Sequence, residues 1–143
     1  MAGLPSFSYP GFGEMVRKTN SYSQVIQVGD TIVCSGQGGW NRTTLDISTD
    51  INEEVDQAFE NVDATIKRAG GKGGWPQVYK VVTYSTDLKA THERIVANYR
   101  KWMPYHQPTW TEIGVKQLGL DNMRIEIEAM AYNGNGNGNV ATT

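Results

Sequence analysis

The sequence predicts an α+β two-layer sandwich, a mixed β-sheet with two helices on one face, in the order β-β-α-β-α-β-β. Three observations lead there. Two β-branched runs meet at Gly29-Asp30, two segments repeat apolar residues every three or four positions, and the last apolar segment alternates from Ile125 to Met130.

Taken in order, Val25, Ile26 and Val28 lead into Gly29-Asp30, and Thr31 to Gly36 return, which reads as a hairpin. Residues 38–48 are polar and turn-rich and read as a loop. Asp50 stands three residues before Glu53, a pair that can satisfy the free N–H groups of a helix start. Val55, Phe59, Val62, Ile66 and Ala69 then form one apolar stripe, and Gly70-Gly71 ends it. Gly73 to Pro76 prolong that loop. Residues 78–86 form a strand, with Val78, Lys80, Val82 and Tyr84 expected on one face. Asp87 or Thr91 caps a second helix whose buried side is Ile95, Val96, Tyr99, Trp102 and Met103, and Pro104 stops it. Strands at 109–118 and 123–132 close the domain, joined by a turn at 119–122. The single domain spans 1–132. Residues 133–143 alternate Asn and Gly, then end in a short tail with little to bury.

Composition narrows the function classes. With 143 residues, 38% hydrophobic and 20% charged, the chain is long enough for a core of its own. A net charge of −2 with interspersed signs leaves no basic stripe for a phosphate backbone, so no nucleic-acid partner is expected. Cys34 is the only cysteine, which rules out an intrachain disulfide. Residues 1–15 carry Pro, Gly and Ser where a signal peptide needs an apolar run, and no stretch approaches the ~20 apolar residues of a membrane span. A cytoplasmic address without membrane contact is the expectation. Two helices on one face leave the other face of the sheet bare, with apolar residues from both the hairpin and strand 78–86. Covering it calls for a partner, most simply more copies of the chain.

Several separated segments together resemble the YjgF/RidA family of reactive-intermediate (enamine/imine) deaminases. They are Tyr22, Ser35-Gly36-Gln37, the helix from Glu53 to Gly70, Val78 to Val82 with Thr86-Asp87-Leu88, Asn98-Tyr99, Pro108, and Ile125 to Ala131. The match covers residues 15–132. The resemblance implies a chorismate-mutase-like fold and a homotrimer with three small-molecule clefts at subunit interfaces. It also implies hydrolysis of enamines or imines to a keto acid and ammonia, with no cofactor and no metal.

Carried over residue by residue, the resemblance assigns Tyr22 to the substrate pocket and Ser35 and Gly36 to the backbone lining of the cleft. Glu126 becomes the carboxylate that positions the attacking water. The family's carboxylate-binding arginine is expected two positions after Pro108, where this chain has Trp110; Glu112 stands where a small residue or cysteine is common. Tryptophan offers one N–H and an apolar face and cannot reproduce the bidentate contact of a guanidinium. With Trp110, Glu112 and Glu126 in one cleft, the site would be apolar and acidic. Trp40 would form a second aromatic wall, and Arg124 or Lys116 are the candidate substitute cations.

Other readings of these residues are ordinary. Trp110 can pack at an interface, Glu126 and Tyr22 can be solvated, and His92 can lie exposed at the start of its helix. His106, in a Pro-flanked loop, is a weak acid/base candidate, and Cys34 is a small buried residue. Two functions follow. One is hydrolysis, dehydration or isomerisation of a small metabolite by carboxylate acid/base chemistry. The other is a non-catalytic trimeric ligand-binding or regulatory protein. Endoribonuclease activity, attached by name to parts of the family, fits the acidic charge balance poorly.

Overall fold

Strand β7 (Ile125–Tyr132) is the axis of the fold, because both halves of the sheet pair with it. The computed structural model describes residues 3–134. Along β7, Ile125, Ile127, Ala129 and Ala131 are buried, while Glu126 and Met130 are half-buried and Glu128 and Tyr132 exposed. This period-two alternation fixes which face of the sheet meets the helices.

The hairpin β2 (Val25–Val28) and β3 (Thr31–Cys34) forms as the sequence predicts, with Gly29 in the left-handed conformation that its turn requires. Strand β3 pairs antiparallel with one side of β7. Strand β5 (Val78–Ser85) pairs antiparallel with the other, and the edge strand β6 (Thr109–Gly114) runs parallel to β5. A parallel neighbour needs a crossover, and helix α3 (Leu88–Trp102) supplies it. Two short strands complete the sheet: β1 (Ser6–Phe7) on β2, and β4 (Gln37–Gly38) on the β7 end that β3 leaves free. The resulting order is β1-β2-β3-β7-β5-β6, with β4 beside β7.

Helix α2 (Ile51–Arg68) starts where the sequence places it. The Asp50 side chain accepts from the backbone N–H groups of Asn52 and Glu53 at 2.8 and 3.2 Å. Its stripe of Val55, Phe59, Val62 and Ile66 is wholly buried. Each such side chain stabilises the fold by about 1.5–3 kcal/mol. Helix α3 is capped by Asp87 and is tied to α2 by a fork: Arg94 donates Nε and Nη2 to the two Asp56 oxygens at 2.8 and 2.6 Å. Asn98 adds a third bond to Asp56, and the Arg94 contacts, more than any other cause, hold the Asp56 carboxyl below its usual range.

The structure departs from the sequence reading in several places. Helix α1 (Phe12–Asn20) and strands β1 and β4 were not expected. Helix α1 has no side-chain N-cap; Gly11 begins it with a φ of 79°, and a Cβ there would fall 2.0 Å from the Arg42 carbonyl oxygen. Strand 78–86 does not keep Val78 on the face of Lys80, Val82 and Tyr84. An irregularity between Val78 and Lys80 inserts Tyr79, so Val78 turns inward with Val81, Thr83 and Ser85. The 109–118 strand ends at Gly114, and it lies beside β5 rather than β7. Trp75, read as part of a loop, is fully buried in a single 3-10 turn (Trp75–Gln77), stacked on Phe59 and donating its indole N–H to the Phe59 carbonyl at 2.8 Å. Asn133 is buried and accepts from Gln77 at 2.8 Å, so the ordered fold extends past Tyr132; residues 135–143 lie outside the described residues.

One buried charge joins the layers. Glu54 is fully buried on α2 and accepts from both the backbone N–H and the guanidinium Nε of Arg124, at 2.7 and 2.6 Å. Arg124 also donates to the Ser48 carbonyl at 2.9 Å, pinning the loop before α2. Removing one member of such a pair strands the other away from water. Glu54→Ala should therefore lower the unfolding free energy by about 3 kcal/mol in urea titration. A loss under about 1 kcal/mol, the range of an exposed pair, would contradict the assignment.

Candidate functional site

The uncovered face of the sheet gathers three of the expected site residues. Glu126 sits on β7 directly over Gly36: a Cβ at position 36 would lie 2.4 Å from the Glu126 carboxylate oxygen. Glycine at 36 is thus the residue that lets this carboxylate lie down between β7 and the end of β3. Burial pushes the Glu126 carboxyl above its usual range, and the nearby Glu128 adds to the effect. Tyr22 borders the same spot, 38% exposed. Its hydroxyl is also raised, by burial first and by the Glu126 charge among lesser causes. Ser35 is fixed rather than free, donating its hydroxyl to the Ser23 carbonyl at 2.6 Å.

Two further residues on this face were not singled out from sequence. Tyr84 stands opposite Glu126 in the β5–β7 register and donates its hydroxyl to the Glu128 carboxylate. That bond, more than burial, pushes the Tyr84 hydroxyl up to about 12. Period-two alternation along both strands was the signal that could have found the pair. The face therefore carries Glu126, Glu128, Tyr22, Tyr84 and the exposed Tyr132 and Lys80, with Ile26, Val33, Val82 and Met130 half-buried among them and Val28 exposed.

Trp110 and Glu112 do not join them within one chain. They are register partners of Val81 and Thr83 on the parallel strand β5, and those residues face the helices. Strand β5 also separates β6 from β7, so Glu112 and Glu126 are not on adjacent strands. The Trp110 indole N–H donates to the Thr83 hydroxyl at 2.9 Å. Its ring meets Tyr99 edge-on at 5.0 Å and stacks on His92 at 5.4 Å. Both Glu112 oxygens lie within 3.0 Å of His92 Nδ1.

The remaining expectations resolve individually. Trp40 is not an aromatic wall of this face. It is buried, stacked on Phe12 at 3.8 Å, and donates to the Tyr9 hydroxyl, which donates to Gln37. It forms a second small core with Val16 and Met123. Arg124 is committed to Glu54 and is no substitute cation for an anion. His106 meets the Val78 carbonyl at 2.7 Å, a structural contact that ties its loop to β5. Burial pushes the Cys34 thiol up to about 12, so it stays protonated and unreactive. Among the described residues, no group of three His, Cys, Asp or Glu is placed to hold a metal ion. A cleft of about 520 Å³ between the 41–48 loop and α2 is lined partly by Asp46, Glu53 and Asp56, but Asp56 is bound by Arg94 and Glu53 by Ser48.

This fold, a sheet covered on one side with carboxylates and tyrosines on the other, matches proteins of known kind. Residues 13–133 match the family described as Endoribonuclease L-PSP. A RutC family protein of Aquifex aeolicus is 38% identical over 112 residues, 77% of this chain and 86% of its own length. A 2-iminobutanoate/2-iminopropanoate deaminase of Dermatophagoides farinae is 34% identical over 113 residues, 76% of this chain and 83% of its own. The crystal structure of the Escherichia coli YjgF gene product superposes with a TM-score of 0.67 at 27% identity, covering 78% of this chain and 87% of that one. The chain belongs to the YjgF/RidA family.

The raised Glu126 carboxyl has a consequence for stability. The folded chain holds a proton there at pH values where the unfolded chain has released it. The contribution is therefore present below the ordinary carboxylate range and lost as pH rises through the raised one. Glu126→Gln should unfold at a higher temperature than the parent near neutral pH and show a flatter pH dependence. Carbon-13 carboxyl titration should find Glu126 titrating closer to an ordinary glutamate in Glu128→Gln. An unmoved titration in that variant would remove Glu128 as a cause.

Proposed function

We propose that this chain forms a homotrimer whose open sheet faces meet. Clefts at the subunit interfaces would then bind a small metabolite, and Glu126 would supply carboxylate acid/base chemistry to hydrolyse, dehydrate or isomerise it. The observation that carries this reading is Glu126 itself: half-buried over Gly36, beside Tyr22, on a sheet face that no helix among the described residues covers. A carboxyl raised by burial is suited to take a proton from water or a substrate carbon and to return it. Relatives named as 2-iminobutanoate/2-iminopropanoate deaminases support an enamine, imine or related substrate.

Trp110 stands where the family resemblance places a carboxylate-binding arginine, and the proposed chemistry is therefore not the arginine-dependent deamination. Because Trp110 and Glu126 lie on opposite faces of one chain, a shared cleft takes them from two different subunits. The edge position of β6 permits that, since one side of the strand has no neighbour among the described residues. The site is incomplete without a second copy.

Sedimentation at micromolar concentration should give three times the 15.8 kDa mass of one chain. The monomer mass would end both the trimer and the interface site. In the same samples, Trp110→Arg should bind pyruvate more tightly than the parent in calorimetric titration, with the trimer intact. A dissociated variant without keto-acid binding would instead make Trp110 a packing residue of the interface.

A further inference from the structure

The contacts of Glu112 point beyond the carboxylate on the open face. His92, in the second turn of α3, and Glu112, on β6, form a pair in which both carboxylate oxygens reach one ring nitrogen, Nδ1, at 2.9 and 3.0 Å. The imidazole is also held from below by stacking on Trp110, at 5.4 Å and 24° between planes. Trp110 is held in turn by its bond to Thr83 and by Tyr99. Beneath this stack the Tyr99 hydroxyl is buried with no hydrogen-bond partner among the described residues, and the Glu112 charge, after burial, raises it further. The His92 side chain is half exposed.

A carboxylate that accepts from Nδ1 fixes the tautomer and leaves the Nε2 lone pair free. It also stabilises the imidazolium that forms when Nε2 takes a proton. Trp110, lying against the imidazole, holds the plane of that ring. Glu112 adds a negative charge that disfavours a carboxylate ligand and favours an uncharged or cationic one.

We propose that His92 is an acid/base residue for a small substrate without a carboxylate, with Glu112 and Trp110 as its positioning residues. In a hydrolysis at this site, Nε2 takes a proton from water as the water oxygen bonds to the substrate's carbonyl carbon. The imidazolium then returns that proton to the leaving oxygen or nitrogen as its bond to carbon breaks. The location of the substrate rests on the reading of β6 as a border of the interface cleft. The dyad itself lies within one chain, so it can be tested whether or not the chains assemble.

Nitrogen-15 spectra of the imidazoles and hydrolysis of p-nitrophenyl acetate, a neutral planar ester, test it together. The chain has only two histidines, which makes assignment direct. Neutral His92 should carry its proton on Nδ1, and Glu112→Gln should shift it toward the Nε2–H form common in water. His92→Asn keeps a donor for Glu112 but removes Nε2, and it should lower ester hydrolysis roughly a hundredfold with unchanged sedimentation, at the low end of acid/base catalysis. A purely structural pair would survive His92→Asn without loss. Unchanged hydrolysis in that variant, or an Nε2–H tautomer in the parent, would overturn the proposal. A trimer with such an inert His92 would leave the Glu126 reading standing, and a monomer with the predicted tautomer and rate would leave the dyad standing.

Discussion

Every other feature depends on the alternation of strand β7, whose two faces have different chemistry. Ile125, Ile127, Ala129 and Ala131 give α2 something to pack on, and α2 in turn carries α3 through Asp56 and Arg94. The same alternation forces Glu126, Glu128, Met130 and Tyr132 to the opposite face. A strand cannot bury one set without presenting the other. The fold's stability and its candidate chemistry thus arise from the two faces of one strand.

Charge is handled differently on the two sides. Beneath the helices, Glu54 is fully buried but receives two donors from Arg124, which fixes the start of β7. On the open face, Glu126 lies over a glycine and beside a second carboxylate, with no cation bonded to it among the described residues; burial first, and the Glu128 charge after it, hold its proton more tightly. A satisfied carboxylate is structural; one crowded by its own kind is available to a ligand. The Glu112–His92 pair is intermediate, paired at the sheet edge with the His92 side chain half exposed.

Much of this was legible in the sequence. Asp50, the Val55-to-Ile66 stripe, the Gly29 hairpin and the faces of β7 follow from local rules that the tertiary fold does not override. The family resemblance singled out Glu126, Tyr22 and Gly36, which the fold brings side by side. What local rules could not supply was strand order. Placing β6 beside β5 rather than β7 requires knowing that α3 is a crossover, and it moves Trp110 and Glu112 to the helix side. Helix α1 escaped notice because Gly11, not a side-chain cap, begins it, and Phe12, Met15 and Val16 make too short a stripe. Trp40 follows from that omission, since its stacking partner Phe12 belongs to the missed helix.

The central claim is that copies of this chain close the open sheet face. Met130 reports on it, because in a single chain it is half-buried like Met15, whereas Met103 and Met123 are 4% exposed. Oxidation by dilute hydrogen peroxide, followed peptide by peptide in a mass spectrometer, compares them in one sample. The account predicts that Met130 oxidises as slowly as Met103 and Met123. Oxidation of Met130 as fast as Met15 would contradict it, leaving the face open to water.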